Sequence, residues 1–185
     1  MKISDKSINE FLEDIATKPG TPAGGCIAAL CAAASAALME MVARHSLNNN
    51  NKPLETKKYM EEVIQTASAA RRKFLDYMDE DTKAYKDVIK AQKNKESNIE
   101  EYHKTSVKIP LEMAKDILKI IDMIKRTTES GSKVLVTDGV AAILMAKVTL
   151  NSLIYHIKFN LMYIKDKDFK EEINTQIQFI EELIK

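Results

Sequence analysis

The segment from Ile27 to Ala43 constrains the fold of this chain more than any other stretch. Eight of its 17 residues are alanine, and Glu40 is its only charged residue. A helix with small side chains on every face suits a position enclosed by other helices, because neighbouring backbones can then come close. The segment therefore predicts a central, buried helix.

The residues before this helix form a turn, Thr21-Pro-Ala-Gly-Gly-Cys26. Two glycines at the start of a helix leave backbone N–H groups uncovered, and such groups can bind an anionic or polar ligand. On spacing alone a purely conformational role is favoured, since glycine and proline are common at helix starts. The turn is thus either a plain helix start or part of a binding site.

Composition limits the class of protein. A chain of 185 residues with 45% hydrophobic content fits one domain, residues 1–185, with its own core. Its net charge of +1 gives no overall field, so neither nucleic acid nor a membrane surface is an expected partner. Cys26 and Cys31 diverge around one helix and do not bridge easily, which indicates a reducing interior. The charged N-terminus lacks the apolar core of a secretion signal, and we expect a cytoplasmic protein.

Helical periodicity recurs along the chain, whereas strand alternation is almost absent. We therefore expect an all-α, multihelical bundle of about six helices around the buried alanine-rich one. Helix one should begin at Ser4 or Ser7 and end before Pro19. Its apolar stripe comprises Ile8, Phe11, Leu12 and Ile15. Helix two is the alanine-rich segment, and the four asparagines at 48–51 should end it.

The remaining helices are expected at about 54–93, 99–128 and 139–163, and after Asp166. The last carries an apolar stripe of Phe169, Ile173, Ile177, Ile180 and Ile184. Pro110 should kink or restart the fourth, because proline removes a backbone donor. Residues 132–137 are the one place where a short extended stretch is plausible. Thr137 or Asp138 is the expected N-cap of helix five. Since that helix carries few charges, it too should lie inside.

The candidates for chemistry are few. The three histidines, His45, His103 and His156, lie on different predicted helices without the spacing of metal ligands, so no metal site is expected. No phosphate-binding loop, dinucleotide-binding turn or nucleophile elbow occurs either. The polar residues that interrupt apolar surroundings are Asp79, Asp81, Thr82, Thr137 and Asp138. Position alone favours a helix cap for Asp138 and leaves Asp81 open between a solvated face and a site.

In their order and spacing these segments resemble the formiminotetrahydrofolate cyclodeaminase and methenyltetrahydrofolate cyclohydrolase family, over nearly the whole chain. The turn before the alanine-rich helix resembles the family's Pro-Gly-Gly-Gly-Ser turn. The other segments similar to family motifs are Phe11-Leu-Glu-Asp-Ile-Ala16, Asp79-Glu-Asp-Thr-Lys-Ala-Tyr85, Val107-Lys-Ile-Pro-Leu-Glu-Met-Ala114, Thr137-Asp-Gly-Val-Ala-Ala142 and Phe159-Asn-Leu161. Each alone is a weak signal, but their common register identifies the chain as a member.

The resemblance implies a multihelical enzyme, usually a homodimer, that acts on folate-bound one-carbon units without a metal or redox cofactor. Cyclodeaminases of the family close 5-formiminotetrahydrofolate to 5,10-methenyltetrahydrofolate and release ammonia, and we expect this reaction here. The alternative is the cyclohydrolase reaction, which interconverts the methenyl and 10-formyl forms. A third reading is a non-catalytic helical module that binds folate or a partner helix.

The resemblance also assigns residues. It places Asp138 at the catalytic aspartate, which would take the N10 proton and return one to the departing group. The substrate-binding residues that it implies are Pro22, Gly24, Gly25, Cys26, Asp81, Thr82 and Asn160. His156 stands where relatives often carry asparagine, and it is either a second proton carrier or a core histidine. Lys52, Lys57 and Lys133 are candidates for contact with the glutamate tail of folate.

Overall fold

The computed structural model describes residues 2–18, 20–48 and 52–184, and every regular element in these ranges is helical. The predicted all-α fold is confirmed. The six α-helices of these ranges are α1 (Ile8–Thr17), α2 (Gly24–Leu47), α3 (Leu54–Asn94), α4 (Ile99–Ser130), α5 (Val136–Asn160) and α6 (Lys167–Leu183). A short 3-10 turn, Ile3–Asp5, precedes α1, and two more lie between later helices, Lys133–Leu135 before α5 and Leu161–Tyr163 after it.

The outer helices α1 and α6 start as their sequences predict. Ser7 caps α1 by accepting a hydrogen bond from the Glu10 backbone, and Asp166 caps α6. The α6 stripe packs on the core, whereas the α1 stripe does so only in part. Phe11 is buried, but Ile8 and Leu12 are exposed because α1 lies on the surface and turns one edge inward. Pro19, expected to follow α1, lies outside the described residues.

Helix α2 is the centre of the bundle, as its small side chains predict. It packs against α3, α4 and α5, and its alanines 29, 36 and 43 are fully buried. The Ser35 hydroxyl donates a 2.8 Å hydrogen bond to the backbone carbonyl of Ala142 on α5. Such a contact requires a close helix approach, which alanine allows. Of the asparagines expected to end this helix, Asn48 is its C-cap, and residues 49–51 lie outside the described ranges.

Helices α2 and α5 run antiparallel. Ser35 is level with Ala142, and near the end of α2 the Ser46 hydroxyl accepts a hydrogen bond from the Ser132 backbone N–H, just before α5. Gly139 lets α5 approach α4 closely at this end, since a β-carbon there would lie 2.3 Å from the Thr128 hydroxyl oxygen. The last turns of α5 therefore lie beside the first turn of α2, and that end is open.

Helix α4 continues through Pro110, so the expected restart is wrong. Proline has no N–H, and this leaves the carbonyl of Ser106, one turn earlier, without its helical partner. The side-chain amide of Asn160 donates a 2.8 Å hydrogen bond to that carbonyl. A bond from α5 thus replaces the one that the proline removes.

The expectations for the start of α5 are wrong. The stretch thought to be extended contains a 3-10 turn and leads directly into the helix at Val136. Thr137 and Asp138 consequently lie within the first helical turn and do not cap it. The N-cap is Leu135, which makes no side-chain capping bond. An acid in the first turn still interacts favourably with the helix dipole.

Helix α5 is also less buried than its lack of charge predicts. One stripe is solvent-exposed within a single subunit, with Val148 at 66% and Tyr155 at 75% exposure. The other large members of this stripe, called the α5 stripe below, are Val136, Val140, Leu144 and Phe159. By length and composition alone both α2 and α5 could cross a membrane. Helix α2 is enclosed by its neighbours, whereas α5 leaves an apolar face uncovered.

Candidate active site

A cavity of about 500 Å³ lies at the open end of the α2–α5 pair, bordered also by α3 and α4. We call it the cleft. Its polar lining residues are Thr21, Asp81, Gln92, His103, Ser106, Ser152, His156 and Asn160, and its aromatic ones are Tyr85, Phe159 and Tyr163. No lysine, arginine or glutamate is among the described residues that line it. The cleft is thus an aromatic and hydroxyl-rich space with one carboxylate.

Four predicted site residues line the cleft: Gly24, Asp81, His156 and Asn160. Gly25, Cys26 and Thr82 lie behind this wall, around Asp81. Pro22 does not line the cleft but borders a neighbouring groove, and Thr21 borders both. The structure thus brings together the α2 turn, the middle of α3 and the end of α5.

The two glycines of the turn have different roles. A β-carbon on Gly24 would meet nothing within 4 Å, so this position opens onto the cleft. A β-carbon on Gly25 would lie 2.3–2.4 Å from the carboxylate atoms of Asp81. Glycine at position 25 therefore makes room for an α3 carboxylate over the first turn of α2. Backbone donors are exposed to the cleft at Gly24, whereas the Asp81 side chain covers Gly25.

Cys26 lies beneath Asp81 and contacts Thr82 as well. The Cys26 thiol sulfur lies 3.8 Å from Asp81 Oδ2 and 3.1 Å from Thr82 Oγ1, and it donates to the Met78 carbonyl at 3.3 Å. Burial raises the pKa of Asp81, while a positively charged His156 and the Cys26 thiol act in the opposite direction. Burial likewise raises the pKa of the Cys26 thiol, which therefore serves as a weak donor.

Stacked aromatic rings form the opposite side of the cleft. The His103 and Tyr163 rings are parallel within 9°, with centroids 5.1 Å apart, and Phe159 meets Tyr163 edge-on at 5.8 Å. His103 is buried, which lowers its pKa and favours the neutral imidazole. A wall of this kind suits a flat, conjugated ring system.

The sequence did not predict that Ser152, His103 and Tyr163 line the cleft, although the spacing of polar residues in α5 was a signal for its side of the cleft. Ser152, His156 and Asn160 recur every four residues in an otherwise apolar helix, and this spacing places them on one helical face. His156 is half-buried on the wall of the cleft and is not a core residue. Tyr85 of α3 is 42% exposed because it faces the cleft.

Asp138 lies at the other end of α5. Gly24 lies eleven residues before Ser35, and Asp138 lies four residues before Ala142, which is level with Ser35. Because α5 runs antiparallel to α2, these two lengths add, and Gly24 and Asp138 are about 22 Å apart along the bundle. Asp138 does not line the cleft of its own subunit. Lys52 is also at this far end, where it donates to the carbonyls of Ser130 and Gly131.

The remaining tail candidates are equally remote from the cleft. Lys133 directly precedes α5, and Lys57 lies in the first turn of α3. Neither lines the cleft.

Comparison with known proteins gives the class to which this fold and cleft belong. The Formiminotransferase-cyclodeaminase family matches residues 7–179, and the chain belongs to this family. The assignment made from the sequence motifs is confirmed, and so is the prediction of an enzyme of the cyclodeaminase or cyclohydrolase type.

Two known proteins are similar to the chain over most of its length. It is 27% identical to the methenyltetrahydrofolate cyclohydrolase of Methylorubrum extorquens over 178 residues, covering 91% of this chain and 85% of that protein. Its fold matches the crystal structure of formiminotetrahydrofolate cyclodeaminase from Thermotoga maritima with a TM-score of 0.93. That match covers 99% of this chain and 92% of the other, at 23% identity, and it concerns the fold.

Proposed function

We propose that the chain closes 5-formiminotetrahydrofolate to 5,10-methenyltetrahydrofolate and releases ammonia, with the cleft as its active site. The alternative is hydrolysis of the methenyl bridge to 10-formyltetrahydrofolate, which the relationship to the Methylorubrum extorquens protein favours. Both reactions pass through a tetrahedral carbon between N5 and N10. They require proton transfers only, so the proposal includes no metal or redox cofactor.

The single observation that carries the proposal is the lone carboxylate of Asp81 in an aromatic cleft. The protonated formimino group and the methenyl bridge are both cations, and a half-buried carboxylate stabilises a cation more strongly than one in water does. The His103–Tyr163 stack offers an apolar face to the pterin ring. Gly24 leaves room for the ligand beside the first turn of α2.

We further propose that the enzyme is a homodimer and that the α5 stripe is its contact surface. The stripe runs from Val136 to Phe159, so a two-fold axis at its midpoint, near Val148, pairs two α5 helices antiparallel. In that register Asp138 of the partner subunit is level with Lys158, two residues from His156. Free thiols and reduced folates suit the cytoplasm, where we place the enzyme.

This dimer gives the predicted catalytic role of Asp138 a physical route. Asp138 and His156 are 18 residues, or five full turns, apart and so face the same side of α5. A two-fold axis perpendicular to the plane of the two antiparallel α5 helices leaves that side of each helix facing in the same direction. Asp138 of the partner subunit would therefore stand at the rim of the cleft, close enough to take the N10 proton.

Turnover tests the proposal directly. Methenyltetrahydrofolate absorbs in the near ultraviolet, so the purified protein is mixed separately with the formimino and the methenyl substrate while that band is followed. A rising band with ammonia release identifies the cyclodeaminase reaction. A falling band with formyl product identifies the cyclohydrolase reaction. Folate-dependent thermal protection without either change would contradict the proposal and favour a binding module.

A further inference from the structure

The proposed chemistry needs an acid as well as a base, and the cleft wall restricts which residue can supply it. Five ionisable side chains line the cleft in the described part of the chain: Asp81, Tyr85, His103, His156 and Tyr163. Cys26 lies beneath Asp81 and faces away from the open space. These groups come from α2, α3, α4, α5 and the turn after α5, and so cover every element around the cleft.

The other four lining groups differ from His156 in their chemistry, their surroundings or their proposed role. A phenol, as in Tyr85 and Tyr163, is by its ordinary chemistry a much weaker acid than an imidazolium. His103 is buried against Tyr163, and burial favours its neutral form. Asp81 faces the position of the cationic bridge, where its carboxylate is the useful form. His156 remains, half-buried on the α5 face between Ser152 and Asn160.

We propose that His156 is the general acid of the reaction and that Asp81 is the carboxylate that stabilises the cationic one-carbon bridge. The inference rests on the proposed function and adds a catalytic residue to it. His156 stands on the same helix and the same side as Asn160, whose amide is already committed to the Ser106 carbonyl. An imidazole is the side chain that gains and loses a proton near neutral pH.

The proton movements balance. N10 attacks the formimino carbon and forms a C–N10 bond, and the C=N electron pair moves to the terminal nitrogen. N10 then loses its proton to a carboxylate, which is Asp138 of the partner subunit. The imidazolium of His156 gives its proton to the terminal amine, the C–N bond breaks, and ammonia leaves as N5 closes the methenyl bridge. In the hydrolytic alternative water adds to the bridge carbon and forms a C–O bond, losing one proton to the Asp138 carboxylate of the partner subunit. The C–N5 bond then breaks as the His156 proton goes to N5, and the second water proton goes to solvent as the formyl C=O forms.

The His156→Asn variant tests whether His156 is the general acid. We expect His156→Asn to lower kcat about 100-fold, within the range of general acid catalysis, and to remove the alkaline limb of the pH–rate profile. The matched control is His45→Asn, since His45 is exposed at the far end of α2 and outside the cleft. It should leave kcat and the profile unchanged. Thermal protection by folate in both variants shows that the site remains folded.

The Asp81→Asn variant separates the role of Asp81 from that of His156. We expect it to remove the acid limb of the profile, because the carboxylate must be ionised to hold the cationic bridge. An alkaline limb that survives in His156→Asn and disappears in Asp81→Asn would make Asp81 the acid and overturn the inference. So would a wild-type rate for His156→Asn. A wild-type protein without turnover on either folate would instead mean that the proposed function has failed.

Discussion

Helices α2 and α5 look alike in sequence, but they differ in how far the rest of the protein buries them. Both are long and nearly uncharged, and both were expected inside the protein. Helix α2 carries alanine on all sides and is enclosed by its own subunit. Helix α5 carries valine, leucine and aromatic residues along one stripe that no other helix of the subunit covers. The size of the side chains therefore distinguishes a helix that is enclosed on all sides from a helix that leaves one apolar face exposed.

A charge in the α5 stripe should have the largest effect. We expect Val148→Lys to convert the dimer to a monomer and to lower activity at least ~10-fold, because a lysine at the centre of the interface would be desolvated twice across the two-fold axis. Sedimentation velocity and the methenyl assay measure the two effects. Ile8→Lys is the control, since Ile8 is a comparably exposed apolar residue on α1. A wild-type protein that is monomeric at assay concentration would contradict the dimer.

Enlarging a side chain in α2 should have an intermediate effect. Ala36 is fully buried, and Ala36→Leu should lower the free energy of unfolding by about 1–3 kcal/mol because the packed core has no room for three added carbons. Its neighbour Ala37 lies half-buried at the surface, and Ala37→Leu should change that free energy by less than about 0.5 kcal/mol. Urea unfolding measures both. Equal losses would show that α2 is not packed as closely as its burial indicates.

The smallest expected effect concerns the hydrogen bond that links α5 to α4. Asn160→Ala leaves the Ser106 carbonyl without a donor and should cost about 1 kcal/mol of unfolding free energy. In a Pro110→Ala background the new backbone N–H supplies that donor, and the same change should cost less. A double-mutant cycle in urea measures this coupling. Additive effects would mean that Asn160 does not compensate for the proline.

Local signals predicted the fold well. The Ser7 and Asp166 caps, the alanine-rich core helix and the α6 stripe each depend on a few neighbouring residues, and each appears in the structure. One of the two failures involves a partner distant in sequence, since the Ser106 carbonyl that Pro110 leaves free inside α4 accepts a hydrogen bond from Asn160. The other is local, because α5 follows a 3-10 turn and has no capping side chain.

The candidate site was predictable in part for the same reason. Motif resemblance located Gly24, Asp81, His156 and Asn160, all of which line one cleft. Periodicity could not show that Asp138 lies at the far end of α5, because that depends on the antiparallel packing of two helices. The aromatic wall was missed because His103 and Tyr163 come from elements 60 residues apart in the sequence.

The central claim is that one subunit supplies the cleft and the other supplies Asp138, and a heterodimer tests it directly. One subunit carries Asp138→Asn. The other carries Gly24→Trp, which would fill the open cleft. Both homodimers should be inactive, whereas the heterodimer, isolated through two different tags, has one intact site and should recover about half of the wild-type rate.

Pairing a wild-type subunit with one that carries both substitutions reverses the expectation. If Asp138 acts across the interface, neither site of that heterodimer is complete and its activity should stay near zero. Activity in this second heterodimer and none in the first would contradict the account, because cleft and carboxylate would then belong to the same subunit.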